Sequence, residues 1–265
     1  MSLIVERDGP ITTFVRDRRE ARNAMDPASA EALTEALLAF DRDPAQHVAV
    51  LWGAGGAFCS GFDLKYAATL LGQERPLADL DFPDGDGEIP RGPMGPTRLE
   101  LSKPVIAAVA GPAVAGGMEL ALWCDLRVME ETAYMGVYCR RWGVPLIDGG
   151  TVRLPRLVGR GRALDIILTG RKVPAEECFR IGLCERLVPD GASREAAEAL
   201  AREIARFPQG CMRADRRSVW RQEGLGERDA LRSEWASAAI FEHEGAQGAA
   251  SFAAGKGRHG DFGNL

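Results

Sequence analysis

The first half of the chain alternates short apolar runs with amphipathic stretches. Leu3-Ile4-Val5 and Ile11-Thr12-Thr13-Phe14-Val15 read as paired strands, with Asp8-Gly9-Pro10 turning between them. Asp26-Pro27 marks a helix start, with Asp as the cap and Pro at the first helical position. Leu33, Leu37 and Phe40 then recur at helical spacing. Residues 48–52, VAVLW, form an apolar run that ends in glycines, the pattern of a buried strand. Residues 105–109 repeat that pattern, and residues 126–129 give a third strand. Strands alternating with helices predict an α/β layered fold.

Two regions break the alternation. Residues 66–98 carry five glycines and five prolines, from Gly72 and Pro76 to Gly95 and Pro96, and resist regular structure. Such an insertion is either a lid that contacts ligand or a plain surface loop. From about residue 161 the pattern is helical, with helices predicted over 196–207, 213–222 and 228–241 and no strand of comparable strength. Arg213, Arg216, Arg217 and Arg221 are expected on solvated helix faces.

Composition narrows the function classes. At 265 residues, 46% apolar and 27% charged, the chain can bury a full core without disulfides or metals. A net charge of −5 argues against a protein that binds nucleic acid by neutralising phosphates. The six cysteines, Cys59, Cys124, Cys139, Cys178, Cys184 and Cys211, include no CxxC pair and read as reduced thiols. The N-terminus meets charged residues within eight positions, unlike a signal peptide. The longest uncharged run, 104–118, is too short and too glycine-rich to span a bilayer. The expectation is a soluble cytoplasmic protein.

Two glycine-rich turns carry the candidate chemistry. GAGGAFCSGFDL, residues 53–64, follows one predicted strand. AGPAVAGGMELALWCD, residues 110–125, follows another and opens a helix near Gly116. A turn of this kind leaves N–H groups unpaired at a helix start, where the helix dipole adds partial positive charge. Two such N–H groups from separate turns can hold one developing oxyanion. Tight turning alone would also account for the glycines. Neither GxGxxG nor GxxxxGK[ST] is present, so the nucleotide-binding readings lose their main support.

RREARNAM (18–25), AFCSGFDL (57–64), AGPAVAGGMELALWCD and DGGTVRLPRLVG (148–159) resemble, in order and spacing, the signatures of the enoyl-CoA hydratase/isomerase (crotonase) family. The resemblance runs from about residue 3 to the C-terminal helices. It implies an α/β fold, a ClpP/crotonase-like spiral of ββα units. Residues 1–200 would form that core, and residues 201–265 a helical region packing on it and on a neighbouring subunit. It further implies acyl-CoA or enoyl-CoA substrates and a homotrimer or homohexamer. No metal or redox cofactor is implied, since coenzyme A enters as part of the substrate.

By position, Phe62 and Gly116 match the residues whose N–H groups form the oxyanion hole. Ala21, Arg22 and Ala24 match the segment lining the CoA nucleotide. Ser60, Gly61, Asp63, Leu64 and Gly117 fall beside the thioester path, with Asp63 also suited to bracing the turn, and Phe252 near the cofactor. Glu119, in the first turn of its helix, matches one of two hydratase glutamates; a helix-favouring first-turn Glu is the alternative. The second glutamate position holds Cys139, a departure that puts simple hydration in doubt. Cys139 is either an apolar filler or a thiol activated by Arg140 or Arg141. Asp148 is the replacement carboxylate, or else only a helix cap. Neither His47, His243 nor His259 lies near these motifs, which disfavours a Ser-His-Asp hydrolase. The leading expectation is a 2-enoyl-CoA hydratase. An isomerase, an acyl-CoA hydrolase or decarboxylase, and a non-catalytic CoA- or RNA-binding relative are the rivals.

Overall fold

The computed structural model describes residues 3–257, so His259 and the last residues of the expected helical region lie outside the described residues. Strands β1 (Leu3–Asp8) and β2 (Ile11–Arg16) pair antiparallel, with Asp8 opposite Ile11. Helix α1 (Pro27–Arg42) follows; the Asp26 carboxylate accepts from Ser29 N at 2.8 Å and Pro27 takes the first position. Then come β3 (Val48–Gly53), α2 (Leu64–Ala68), β4 (Val105–Val109), β5 (Pro112–Val114) and α3 (Gly116–Trp123). Next are β6 (Leu126–Glu130), β7 (Tyr134–Gly136), α4 (Gly150–Val158), α5 (Arg160–Thr169), β8 (Val173–Pro174), α6 (Ala175–Arg180) and β9 (Arg186–Val188). Helices α7 (Ser193–Ala205), α8 (Gln209–Arg221), α9 (Glu227–Trp235) and α10 (Glu244–Ala253) complete the chain.

The strands feed two sheets in turn. One sheet has the order β1-β2-β3-β4-β6-β9 and the other β5-β7-β8. After β4 the chain crosses to β5 and enters α3; after β6 it crosses to β7 and goes on to α4. Two earlier turns use single bridges in place of strands: Met25 pairs with Phe62, and Cys59 with Ala113 of β5. Each turn thus runs extended segment, extended segment, helix, and stacks on the one before it. This is the ββα spiral, and it gathers the starts of successive helices on one side.

Strand alternation builds the two cores. Ala49, Leu51, Ala107 and Val109 point to the face covered by Leu33, Leu37 and Phe40 of α1 and by the fully buried α3. Val48, Val50, Ile106 and Ala108 point the other way, onto Ala197, Leu200 and Ala201 of α7.

Three expectations for the second half need correction. Two strands, β8 and β9, lie beyond residue 161; at two and three residues they are too short to leave a periodic signal and exist by pairing onto β7 and β6. The helix predicted over 228–241 stops as α-helix at Trp235, and α10 follows a 3-10 stretch. Arg213 and Arg216 are not on a solvated face. Arg216 Nε donates to Asp125 Oδ1 at 2.7 Å and its Nη1 to Leu101 O at 2.6 Å, while Arg213 is half-buried.

Asp125 therefore joins α8 to the spiral. Its Oδ1 accepts from both Arg216 Nε and Trp220 Nε1, and its Oδ2 from Val105 N at the start of β4. Asp125→Ala leaves a partly buried guanidinium and a strand N–H without their acceptor. It should lower unfolding free energy by about 2–4 kcal/mol in urea titration, and Asp125→Asn by less.

Candidate active site

The gathered helix starts surround a cavity of about 610 Å³. Phe62, Leu64 and the segment 67–77 form one lip, Ala115, Gly116 and Glu119 the floor, and 138–148 the opposite lip. The irregular stretch splits into three parts. Residues 70–77 contribute to the cavity wall, most of 78–91 is exposed, and Met94, Pro96 and Thr97 are buried beneath the site.

Phe62 owes its placement to its neighbours. Met25 N donates to Gly61 O and Asp63 N to Met25 O, both at 2.8 Å. Those bonds use the groups on either side of Phe62, so its own N–H points the opposite way and has no acceptor among the described residues. Gly116 begins α3, where the first amides lack helical partners, and its N–H is likewise unpaired among the described residues. The two turns touch: a Cβ on Gly61 would sit 3.1 Å from Gly116 N and 2.9 Å from Ala115 Cβ. Ala115, just before α3, has φ +54 and ψ −128, a conformation that side-chain-bearing residues rarely adopt. Its N–H donates to Gly136 O at 2.8 Å, which helps hold it there. Two unpaired amides from adjacent turns are suited to one oxygen that gains negative charge.

Glu119 is 3% exposed on the floor of the cavity. Its Oε1 accepts from Asp148 N at 3.0 Å and Gly150 N at 2.8 Å, the amides at the start of α4. The carboxyl therefore lies between the N-termini of α3 and α4. Burial pushes it up, the Asp148 charge adds to that, and the two amides pull it back; the result is about 7 against an ordinary 4.5. A Cβ on Gly150 would come to 2.9 Å from Glu119 Oε1, so a side chain there would displace the carboxyl from its place.

Asp148 is 4% exposed and also lines the cavity. Its Oδ1 accepts from Met94 N at 2.9 Å and Thr97 Oγ1 at 2.5 Å. Burial raises its carboxyl above the usual range, against the pull of those two donors and of Arg98 and Arg153. Cys139 faces the same cavity from a 3-10 turn. Burial and the charge of Glu119 push its thiol up, away from a thiolate, although Arg140 opposes them.

The cavity brings together Arg22, Ser60, Phe62, Leu64, Gly116, Glu119, Cys139 and Asp148. Gly61 and Gly117 stand behind it, at the contact between turns. A Cβ on Gly117 would meet Cys59 O at 2.1 Å. Asp63 is not on the wall; it caps α2 through Lys65 N and Tyr66 N and pairs with Arg18 at 2.6 Å. Ala21 and Ala24 are set back too, with Ala21 O accepting from Ser60 Oγ at 3.1 Å. Arg22, by contrast, is exposed at the mouth with no ion pair among the described residues. Phe252 is 61% exposed on α10 and does not line the cavity.

Sequence reasoning missed four supports. Asn23 is fully buried at φ +55, and its Nδ2 holds Ala54 O and Ala57 O. Asn tolerates that backbone region, so its place inside RREARNAM was the available signal. Met94 and Thr97 reach the Asp148 carboxylate, and Arg153 reaches Thr97 O, through contacts between residues about fifty apart, which leave no local pattern.

The spiral and its cavity define the crotonase fold class, and comparison with known proteins agrees. Residues 8–247 match the family model described as enoyl-CoA hydratase/isomerase. The enoyl-CoA hydratase EchA19 of Mycobacterium tuberculosis is 36% identical over 236 residues, 86% of this chain and 84% of that protein. The carnitinyl-CoA dehydratase of Salmonella typhi is 39% identical over 205 residues, 77% of this chain and 74% of that one. The crystal structure of enoyl-CoA hydratase EchA1 from Mycobacterium marinum aligns with a TM-score of 0.84 and 32% identity, over 95% of both chains. The chain belongs to the enoyl-CoA hydratase/isomerase family. No helix among the described residues is long and apolar enough to cross a membrane.

The position of Glu119 has a measurable consequence. A carboxyl raised on folding keeps a proton in the folded state that the unfolded chain has lost. Stability is therefore undiminished below about 4.5, falls as pH rises from there, and has lost the whole contribution above about 7. Glu119→Gln removes the effect. Relative to the parent, it should gain roughly 2–4 kcal/mol of unfolding free energy between pH 4.5 and pH 8 in urea titrations. A pH-independent difference would show that burial does not strain this carboxyl.

Proposed function

We propose that the protein adds water to the double bond of 2-enoyl-CoA thioesters. The observation that carries this reading is Glu119: a buried carboxyl near neutral pH, in one cavity with two unpaired amides and a second raised carboxyl. Water adds with OH to Cβ and H to Cα. Glu119 in its ionised form takes the proton from water. The thioester oxygen gathers charge between Phe62 N–H and Gly116 N–H as the enolate forms. Asp148, which burial keeps more protonated than an ordinary carboxyl, supplies the proton to Cα. The chain's own carboxyl groups carry every proton in this scheme.

The relatives named hydratase and dehydratase describe the two directions of one addition of water, which supports the reading. In this reading the pantetheine arm passes Ser60 and Leu64, and Arg22 meets the phosphates. Gly61, Asp63 and Gly117 hold the turns that carry the two amides, while Ala21 and Ala24 back the nucleotide segment. Leu70, Leu71, Leu77, Trp142, Val144 and Ile147 give the acyl end an apolar lining, so apolar acyl groups fit better than charged ones. Cys139 acts as a small filler where the family has its second glutamate. The exposed Val219, Leu225, Leu231, Trp235 and Phe241 of the C-terminal helical region suit burial against a neighbouring subunit, which supports a trimer or a dimer of trimers.

One observation favours a second reading, an enoyl-CoA isomerase. Asp148 spends Oδ1 on Met94 and Thr97, and the other glutamate position holds Cys139, which leaves Glu119 able to shuttle a proton alone.

Glu119→Gln should keep the fold and CoA-ester binding and cut turnover by roughly 10²–10⁴. Asp148→Asn separates the readings in assays with 2-enoyl-CoA and 3-enoyl-CoA. A hydratase using the pair loses hydration nearly as badly as with Glu119→Gln; a one-carboxylate isomerase loses little and hydrates nothing even in the parent. Full activity of Glu119→Gln on every ester the parent turns over would refute both. Light scattering at micromolar concentration should give three or six subunits; a clean monomer contradicts the assembly.

A further inference from the structure

Arg153 stands out among the arginines by its place, at the start of α4 beside Glu119 and Asp148. It is half-buried, yet it makes no ion pair among the described residues. Its Nη1 donates to Asp148 O at 3.0 Å and its Nη2 to Thr97 O at 2.7 Å. Both partners are carbonyls, so its charge is not cancelled by direct contact with a carboxylate. The guanidinium reaches them by folding back over the start of its own helix, α4. That path exists because residue 149 is glycine: a Cβ there would lie 2.1 Å from Nη1.

The two carbonyls matter because of what adjoins them. Asp148 O belongs to the peptide lying between the two whose N–H groups, Asp148 N and Gly150 N, donate to Glu119 Oε1. Fixing that central peptide aims its neighbours at Glu119. Thr97 O belongs to the residue whose hydroxyl donates to Asp148 Oδ1. Arg153 thus closes a ring through the Thr97 backbone, the Thr97 hydroxyl, the Asp148 carboxylate and the Asp148 backbone. The ring ties the buried end of the irregular stretch to both carboxyl groups of the site.

We infer that Arg153 is the positioning residue of the proton-transfer site: it holds the turn whose amides bind Glu119, and it sets an uncancelled positive charge beside the two carboxyl groups. The inference rests on Glu119 being the proton-moving group. The charged and titratable groups facing Glu119 are Asp148, Arg153 and Cys139; Arg98 acts on Asp148, and Arg140 on Cys139. Arg153 is the cation that acts on both carboxyl groups. Its removal shifts the balance toward the protonated forms.

The test compares Arg153→Met and Arg153→Lys with the parent and Glu119→Gln. The readouts are the acid limb of kcat/KM against pH with the ester the parent turns over, and the titration of Glu119 by carbon-13 NMR of labelled glutamate, assigned by its loss in Glu119→Gln. Arg153→Met should move both titrations up by about half a unit to one unit and lower kcat more than it raises KM. Arg153→Lys keeps the charge and should restore the titration to near the parent value, with kcat only partly recovered. The NMR titration reads the charge effect even if Arg153→Met turns over too slowly to assay. If Arg153→Met leaves both titrations where they are in the parent, or Arg153→Lys fails as Arg153→Met does, the assignment is overturned. Should Arg153→Met itself fail to fold, the decision falls to Arg153→Lys: a near-parent titration with lowered kcat upholds the role, and a parent-like kcat overturns it. Glu119→Gln with undiminished activity would instead strike at the role of Glu119, a separate outcome.

Discussion

Successive turns of the spiral meet at backbone distance around the cavity, and the site depends on that approach. Gly117 lies so close to Cys59 O, and Gly61 to Ala115 and Gly116, that side chains there would force the turns apart. The bridges of Met25 to Phe62 and of Cys59 to Ala113 lock the same region from the other side. Close approach turns two remote stretches of chain into neighbouring sources of unpaired N–H. It also has a cost in backbone strain, visible at Ala115. The strain persists because hydrogen bonds on both sides over-determine the turn.

The same stacking sets the electrostatics. A carboxyl between two helix N-termini would ordinarily be stabilised as the anion. Glu119 nonetheless sits near neutral because burial outweighs the two amides it accepts from, and Asp148 adds like charge. Those opposing contributions leave the group able both to take and to give a proton at physiological pH. Cys139 experiences the same burial and the same neighbouring charge, which drives its thiol away from ionisation. One environment therefore raises both groups, bringing the carboxyl to near neutral and taking the thiol further from it.

Distance from the cavity separates the remaining charged groups by task. Asp63 and Arg18 brace the start of α2, and Asp125 with Arg216 fastens α8 to the edge of the spiral. Both pairs are partly buried and carry further hydrogen bonds, so they fix geometry more than they add net stability. The C-terminal helices attach at a few such points and leave large apolar side chains outside.

Much of the fold was legible in the sequence because its signals are local. The alternation of VAVLW and VIAAV sorts residues onto two faces, and Asp26-Pro27 caps α1 as its chemistry requires. The glycine turns, Phe62, Gly116 and Glu119 could be picked out by motif and order. Three things were decided by tertiary structure. The strands β8 and β9 are too short to show a period and form only because an edge awaits them. The solvated faces expected for Arg213 and Arg216 are overridden by packing onto the spiral. Thr97, Asp148 and Arg153 become one ring only when residues about fifty apart are folded together. Sequence determines which residues can carry charge or tolerate a turn; the dielectric around them, and hence which carboxyl moves a proton, exists only once the chain has closed over them.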